Sequence, residues 1–119
     1  MKTLFASALL FLTSPLAAHA ACAPTDFVIQ DFKVVAAAGS PRMSMKGQLV
    51  NHCAEAAAAQ IQVDAKDASG NIVQSKKGWP AGTTNIAPGQ SVDFDLGRLF
   101  RYQPSMQTYT VSVAEVRAW

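Results

Sequence analysis

From residue 26 onward, apolar and polar positions alternate in short runs divided by turn residues. Over 26–37 the apolar set is Phe27, Ile29, Phe32, Val34 and Val35, and its phase slips near Asp31, which predicts a bulge or a bend. Over 43–51, Met43, Met45, Gly47 and Leu49 share one face, and Ser44, Lys46 and Gln48 share the other. Over 58–66, Ala59, Ile61, Val63 and Ala65 oppose Gln60, Gln62, Asp64 and Lys66. A short strand is predicted at 72–77. Over 90–96, Val92, Phe94 and Leu96 oppose Ser91, Asp93 and Asp95. Over 108–117, Tyr109, Val111 and Val113 share a face before the apolar set shifts to Ala114 and Val116, a second predicted change of register. Period two marks a half-buried antiparallel strand; a helix would need apolar residues three and four apart, which these runs lack.

The breaks between runs carry turn chemistry. Asp67-Ala68-Ser69-Gly70-Asn71 joins the third and fourth runs, and Pro88-Gly89 suits a type II turn into the fifth. Trp79-Pro80, Gly82 and Pro88-Gly89 punctuate a long irregular connection. Ala54 to Ala59 favours helix by propensity, but it is too short to stand alone and is expected to lead into a strand, with at most a helical turn. About six strands at this spacing predict two packed sheets, a small antiparallel β-sandwich rather than a barrel.

Residues 1–20 break the pattern. Lys2 precedes an apolar run from Leu4 to Leu12, Ser14-Pro15 interrupts it, and Ala18-His19-Ala20 offers small residues where a signal peptidase reads. The expectation is a cleaved signal peptide at 1–20 and a single domain at 21–119, the run being too short to span a bilayer. A lipid anchor on Cys22 fits less well, because His19 stands where a Leu-like residue is wanted. Cys22 and Cys53 are the only cysteines. Two thiols in one small exported domain pair, so a structural disulfide is predicted and a periplasmic or secreted location with it.

The order of signals from Met45 onward resembles the FxLYD family of small exported bacterial domains. The pieces that carry the resemblance are Gly47-Gln48-Leu49-Val50-Asn51, Ile61-Gln62-Val63-Asp64-Ala65, Asp67-Ala68-Ser69-Gly70-Asn71-Ile72-Val73, Ile86 to Phe94, and Tyr109-Thr110-Val111-Ser112-Val113. At the family's naming motif this chain reads Val63-Asp64-Ala65-Lys66-Asp67. The resemblance implies an immunoglobulin-like sandwich in the bacterial envelope, with no defined reaction. Each piece also has a local reason: Gly47 admits a close neighbour, and Asn51 can hydrogen-bond its own backbone where a strand ends.

Candidate chemistry is sparse. Half the residues are apolar and 15% are charged, for a formal charge of +2 to which Lys2 contributes, so net charge argues for neither nucleic acid nor an anionic membrane as partner. His52 is the only histidine beyond the leader, and no nucleophile motif accompanies it, so no enzyme is expected. Met43, Met45 and His52 could suit Cu(I), although Met pairs at strand spacing usually fill cores. The carboxylates of Asp64, Asp67, Asp93 and Asp95 follow the solvent phase of their strands, and Asp67 with Gly70 and Asn71 lacks the other oxygens of a calcium loop. The aromatic and basic group Trp79, Arg98, Phe100, Arg101 and Tyr102 is the candidate interaction surface, since Arg and aromatics concentrate at protein interfaces; the alternative is that Leu99, Phe100 and Trp79 close one end of the sandwich. The expected function is a non-enzymatic interaction or structural module without cofactor, whose partner is another envelope or secreted protein. The alternatives are a copper-binding envelope protein and a small inhibitor that offers the 79–89 loop to an envelope enzyme.

Overall fold

A computed structural model describes residues 22–36 and 39–119. The leader at 1–20 and its cleavage point before Ala21 lie outside the described residues. The strands are β1 (Phe27–Ala36), β2 (Met43–Asn51), β3 (Ala58–Lys66), β4 (Ile72–Gly78), β5 (Ser91–Asp95) and β6 (Thr108–Arg117), with 3-10 turns at Pro24–Asp26 and Gly97–Leu99. They form two antiparallel sheets of order β1-β2-β5 and β4-β3-β6. Hairpins join β1 to β2 and β3 to β4; the chain changes sheet after β2, β4 and β5. In immunoglobulin terms the first sheet holds strands A, B and E, and the second holds C′, C and F. Among the described residues no helix is long and apolar enough to cross a membrane.

The faces follow the alternation. Met45, Leu49, Ile61, Val63 and Ala65 are fully buried between the sheets, joined by Phe27, Phe94, Leu96 and Ile86. Tyr109, Val111, Val113 and Val116 pack against this core from β6. Val35 follows Val34 directly and therefore falls on the outer phase, 63% exposed. Both predicted register changes exist. In β1 the pairing jumps from Gln30↔Gln48 to Lys33↔Lys46, so Asp31 and Phe32 together oppose Gly47, with Asp31 at φ 56°. In β6 the pairing jumps from Gln60↔Glu115 to Ile61↔Val113, leaving Ala114 as the extra residue. Gly47 pairs with Phe94, whose ring lies 2.8 Å from where a Cβ on Gly47 would stand.

The disulfide joins Cys22 to Cys53, with Cα atoms 5.8 Å apart. It is not the inter-sheet bridge of antibody domains. It ties the segment before β1 to the segment after β2, beside their pairing at Phe27↔Asn51. Ala54 to Ala59 forms no helix; bends at 53–55 lead to a bridge between Ala57 and Ile86 and then into β3.

Candidate interaction site: an arginine corner

The site stands where β2 begins and β5 ends. Past β5 the chain stays hydrogen-bonded to β2: the Asp95 carboxylate accepts the N–H groups of Met45 and Gly97, both at 2.9 Å, and the Leu96 N–H donates to the Met45 carbonyl at 3.0 Å. This brings Gly97 against the backbone of Met43 and Ser44 so closely that any Cβ would overlap it. The 3-10 turn at Gly97–Leu99 follows, closed by the Phe100 N–H on the Gly97 carbonyl. Phe100 then turns into the core, 4% exposed. The Gln74 side chain of β4 holds the next peptide, donating to the Arg101 carbonyl at 2.8 Å and accepting its N–H at 3.4 Å. The Tyr102 N–H donates to the Pro41 carbonyl at 2.8 Å, which draws in the loop before β2.

Arg98 and Arg101 thus flank a buried anchor, and Arg42 joins them from the neighbouring loop. The cleft between them, about 510 Å³, is lined by Pro41, Arg42, Met43, Gly97, Arg98, Phe100 and Arg101. An adjoining cleft shares Pro41 and Arg101 and adds Gln74, Lys76, Leu99 and Tyr102. All carboxylate side chains of the chain belong to the described residues. Among these residues the ion pair is Arg117–Glu115 at 2.9 Å, so none of the three arginines has a carboxylate within 4.0 Å. Tyr102 packs half-buried against the core near Tyr109. Burial, with the nearby Tyr102 phenol adding to it, pushes the Tyr109 hydroxyl above its ordinary pKa.

The residues singled out from sequence separate into different places. Arg98 and Arg101 are exposed at the corner and Tyr102 sits beside them. Phe100 is a core residue and offers a partner no free side chain, which corrects its place in the surface set. Trp79 belongs to a second cluster, packed edge-on against Trp119 with ring centroids 5.6 Å apart. The Arg117 guanidinium lies over both rings, 5.7 Å from the Trp79 centroid and 4.8 Å from that of Trp119. The copper ligands do not converge. Met45 is fully buried, and His52 stands beyond the far end of β2, about 30 Å of strand from Met43. Among the described residues no group of three or more His, Cys, Asp or Glu could hold a metal ion. The Asp67 carboxylate accepts the N–H groups of Ser69 and Asn71, both at 2.9 Å, as a turn-former does. The 79–89 loop is strapped down: Ile86 pairs with Ala57, and Asn85 exchanges hydrogen bonds with the Trp119 backbone.

Arg42, Gln74 and Asp95 were not legible as parts of this corner. Arg42 follows Ser40-Pro41 at a turn, and only the β2–β5 pairing brings it beside Arg98. A scan against protein-family models, a search of curated proteins and a search of solved structures each found no match for this chain.

Proposed function

We propose that the protein is a non-enzymatic interaction module of the periplasm or secreted space, which presents the arginine corner to another envelope or secreted protein. The observation that carries this reading is the trio Arg42, Arg98 and Arg101 around one cleft, with no carboxylate of the chain paired to them. Cations left unpaired on a rigid frame stand ready for a partner's charge. The disulfide supports an oxidising compartment. The leader pattern at 1–20 and the FxLYD-like order of pieces support export and an envelope role. The test is crosslinking capture from envelope extract with a photoreactive residue in place of Leu99, which is 40% exposed between Arg98 and Phe100. A discrete adduct that disappears in an Arg98→Ala, Arg101→Ala variant supports the proposal. Equal yield from that variant, or from a photoreactive residue at Lys33 on the far strand, contradicts it.

A further inference from the structure

The two clefts meet at Pro41 and Arg101, and cationic and apolar side chains line both of them, the two being taken together as the groove. Arg42, Arg98 and Arg101 line the first with Pro41 and Met43, Phe100 itself being buried; Lys76 and Arg101 line the second with Leu99 and Tyr102. Four of the chain's ten Lys and Arg residues line this groove. Guanidinium presents a planar fork of donors that matches a carboxylate in two-point contact. The backbone that carries Arg98 and Arg101 is already fixed by Asp95, Gly97, Phe100 and Gln74, so ordering it on binding costs little. The cationic region is also bounded. The neighbouring hollow on the outside of the first sheet is lined by Asp31, Asp93 and Asp95 beside Lys46. A broad anionic surface, such as a membrane, would meet those carboxylates as well as the arginines, whereas a narrow segment would not.

Accepting the corner as the interaction surface, we infer that its groove holds an acidic peptide segment of the partner, with carboxylates at Arg42, Arg98 and Arg101 and apolar side chains between them. The occupant is a stretch in which Asp or Glu alternates with Leu- or Val-like residues. The polypeptide backbone of the segment has a polar partner at hand in the amide of Gln103.

The experiment is fluorescence anisotropy on the oxidised protein with a labelled peptide Glu-Leu-Glu-Val-Glu-Leu-Glu. The arms are its all-Gln counterpart and phosphatidylglycerol vesicles. The acidic peptide is expected to bind at least about tenfold more tightly than the Gln peptide and to weaken steeply as salt is raised. Arg42→Ala, Arg98→Ala and Arg101→Ala should each weaken it about fivefold or more, while Lys33→Ala on β1 leaves it unchanged. Retained circular dichroism and a retained disulfide show that each variant is folded, and Arg98→Lys should recover only part of the loss. Equal binding of both peptides, or Arg variants that bind like the parent, overturns the inference. Vesicle binding that needs the arginines while the peptide does not bind also overturns it, yet leaves the corner as a binding surface. Only loss of arginine dependence in the crosslinking capture removes the corner itself.

Discussion

Asn51 is the buried polar residue on which several segments depend. It is fully enclosed, and its side chain bonds only to backbone: Nδ2 donates to the Glu55 and Ile86 carbonyls at 2.9 and 2.7 Å, and Oδ1 accepts the Cys53 N–H at 2.7 Å. Its main chain bonds to Gln90 and Gly89, so the disulfide segment, the Ala57–Ile86 bridge and the turn into β5 all converge on it. Asn51→Ala removes three hydrogen bonds, leaving the Glu55 carbonyl and the Cys53 N–H without their partner while the Ile86 carbonyl keeps the Ala57 N–H, and should cost about 2–3 kcal/mol in urea unfolding. A loss below about 1 kcal/mol would mean water replaces the amide. Gly97→Ala meets the Met43 carbonyl and Ser44 backbone and should cost about 2 kcal/mol or more, read as a lowered Tm. On the outer face of the second sheet the Ser75 hydroxyl, and after it the Gln62 amide, hold the Asp64 carboxyl below its ordinary value of 3.8; desolvation opposes them, and Lys66 adds less than that desolvation removes. A depressed folded-state value means that this contact stabilises the fold fully above the ordinary carboxyl range, and that the contribution is lost as pH falls through the folded-state value. Ser75→Ala should raise the Asp64 titration midpoint followed by NMR, and its stability deficit should shrink on acidification. An unmoved midpoint would contradict the assignment.

At the scale of elements, the long sheet edges β1 and β6 each carry a bulge, at Asp31-Phe32 and at Ala114. Bulges twist an edge away from foreign strands, which argues against strand addition as the mode of binding at either edge. Deleting Asp31 would restore unbroken alternation from Phe27 through Val34 in the same register, because Phe32 would then face Gly47 alone. The deletion variant should fold and self-associate in a concentration-dependent way by sedimentation; a strictly monomeric variant would show that the bulge does not guard the edge. These elements were legible because period two gives each residue a direction. The runs read from sequence match the strands closely, and the phase slips at Asp31 and Ala114 are the bulges themselves. Irregular segments give no such direction. Phe100 reads either as surface beside two arginines or as a plug at the end of the sandwich, and the 3-10 turn at Gly97–Leu99 settles it inward. Trp79 reads as part of the same group but pairs with Trp119, forty residues on in sequence. The alanine run after Cys53 obeys tertiary restraints from Asn51 and Ile86 over its own helical propensity.

For the whole molecule, the immunoglobulin-type sandwich supplies a rigid frame whose one disulfide closes a loop of sequence separation 31. Chain entropy puts that closure at about 3–4 kcal/mol, a large share of the roughly 5–15 kcal/mol available to a small domain. Replacing both Cys22 and Cys53 by Ser should therefore lower the Tm substantially while the strands persist at low temperature, as far-UV circular dichroism would show. No change in Tm would remove the disulfide as a stabilising element. Fold and staple were readable from alternation and cysteine count. The corner was half readable, since Arg98 and Arg101 announce themselves in sequence while Arg42 needs the folded β2–β5 pairing to reach them. The most direct measurement is an NMR titration of the isotope-labelled, oxidised protein with the acidic peptide, following every backbone amide. The account predicts shifts confined to Arg42–Met43, Gly97–Tyr102 and Gln74–Lys76. Shifts centred instead on the β1 and β6 edges, on the Trp79–Trp119 cluster, or on no contiguous region would contradict it.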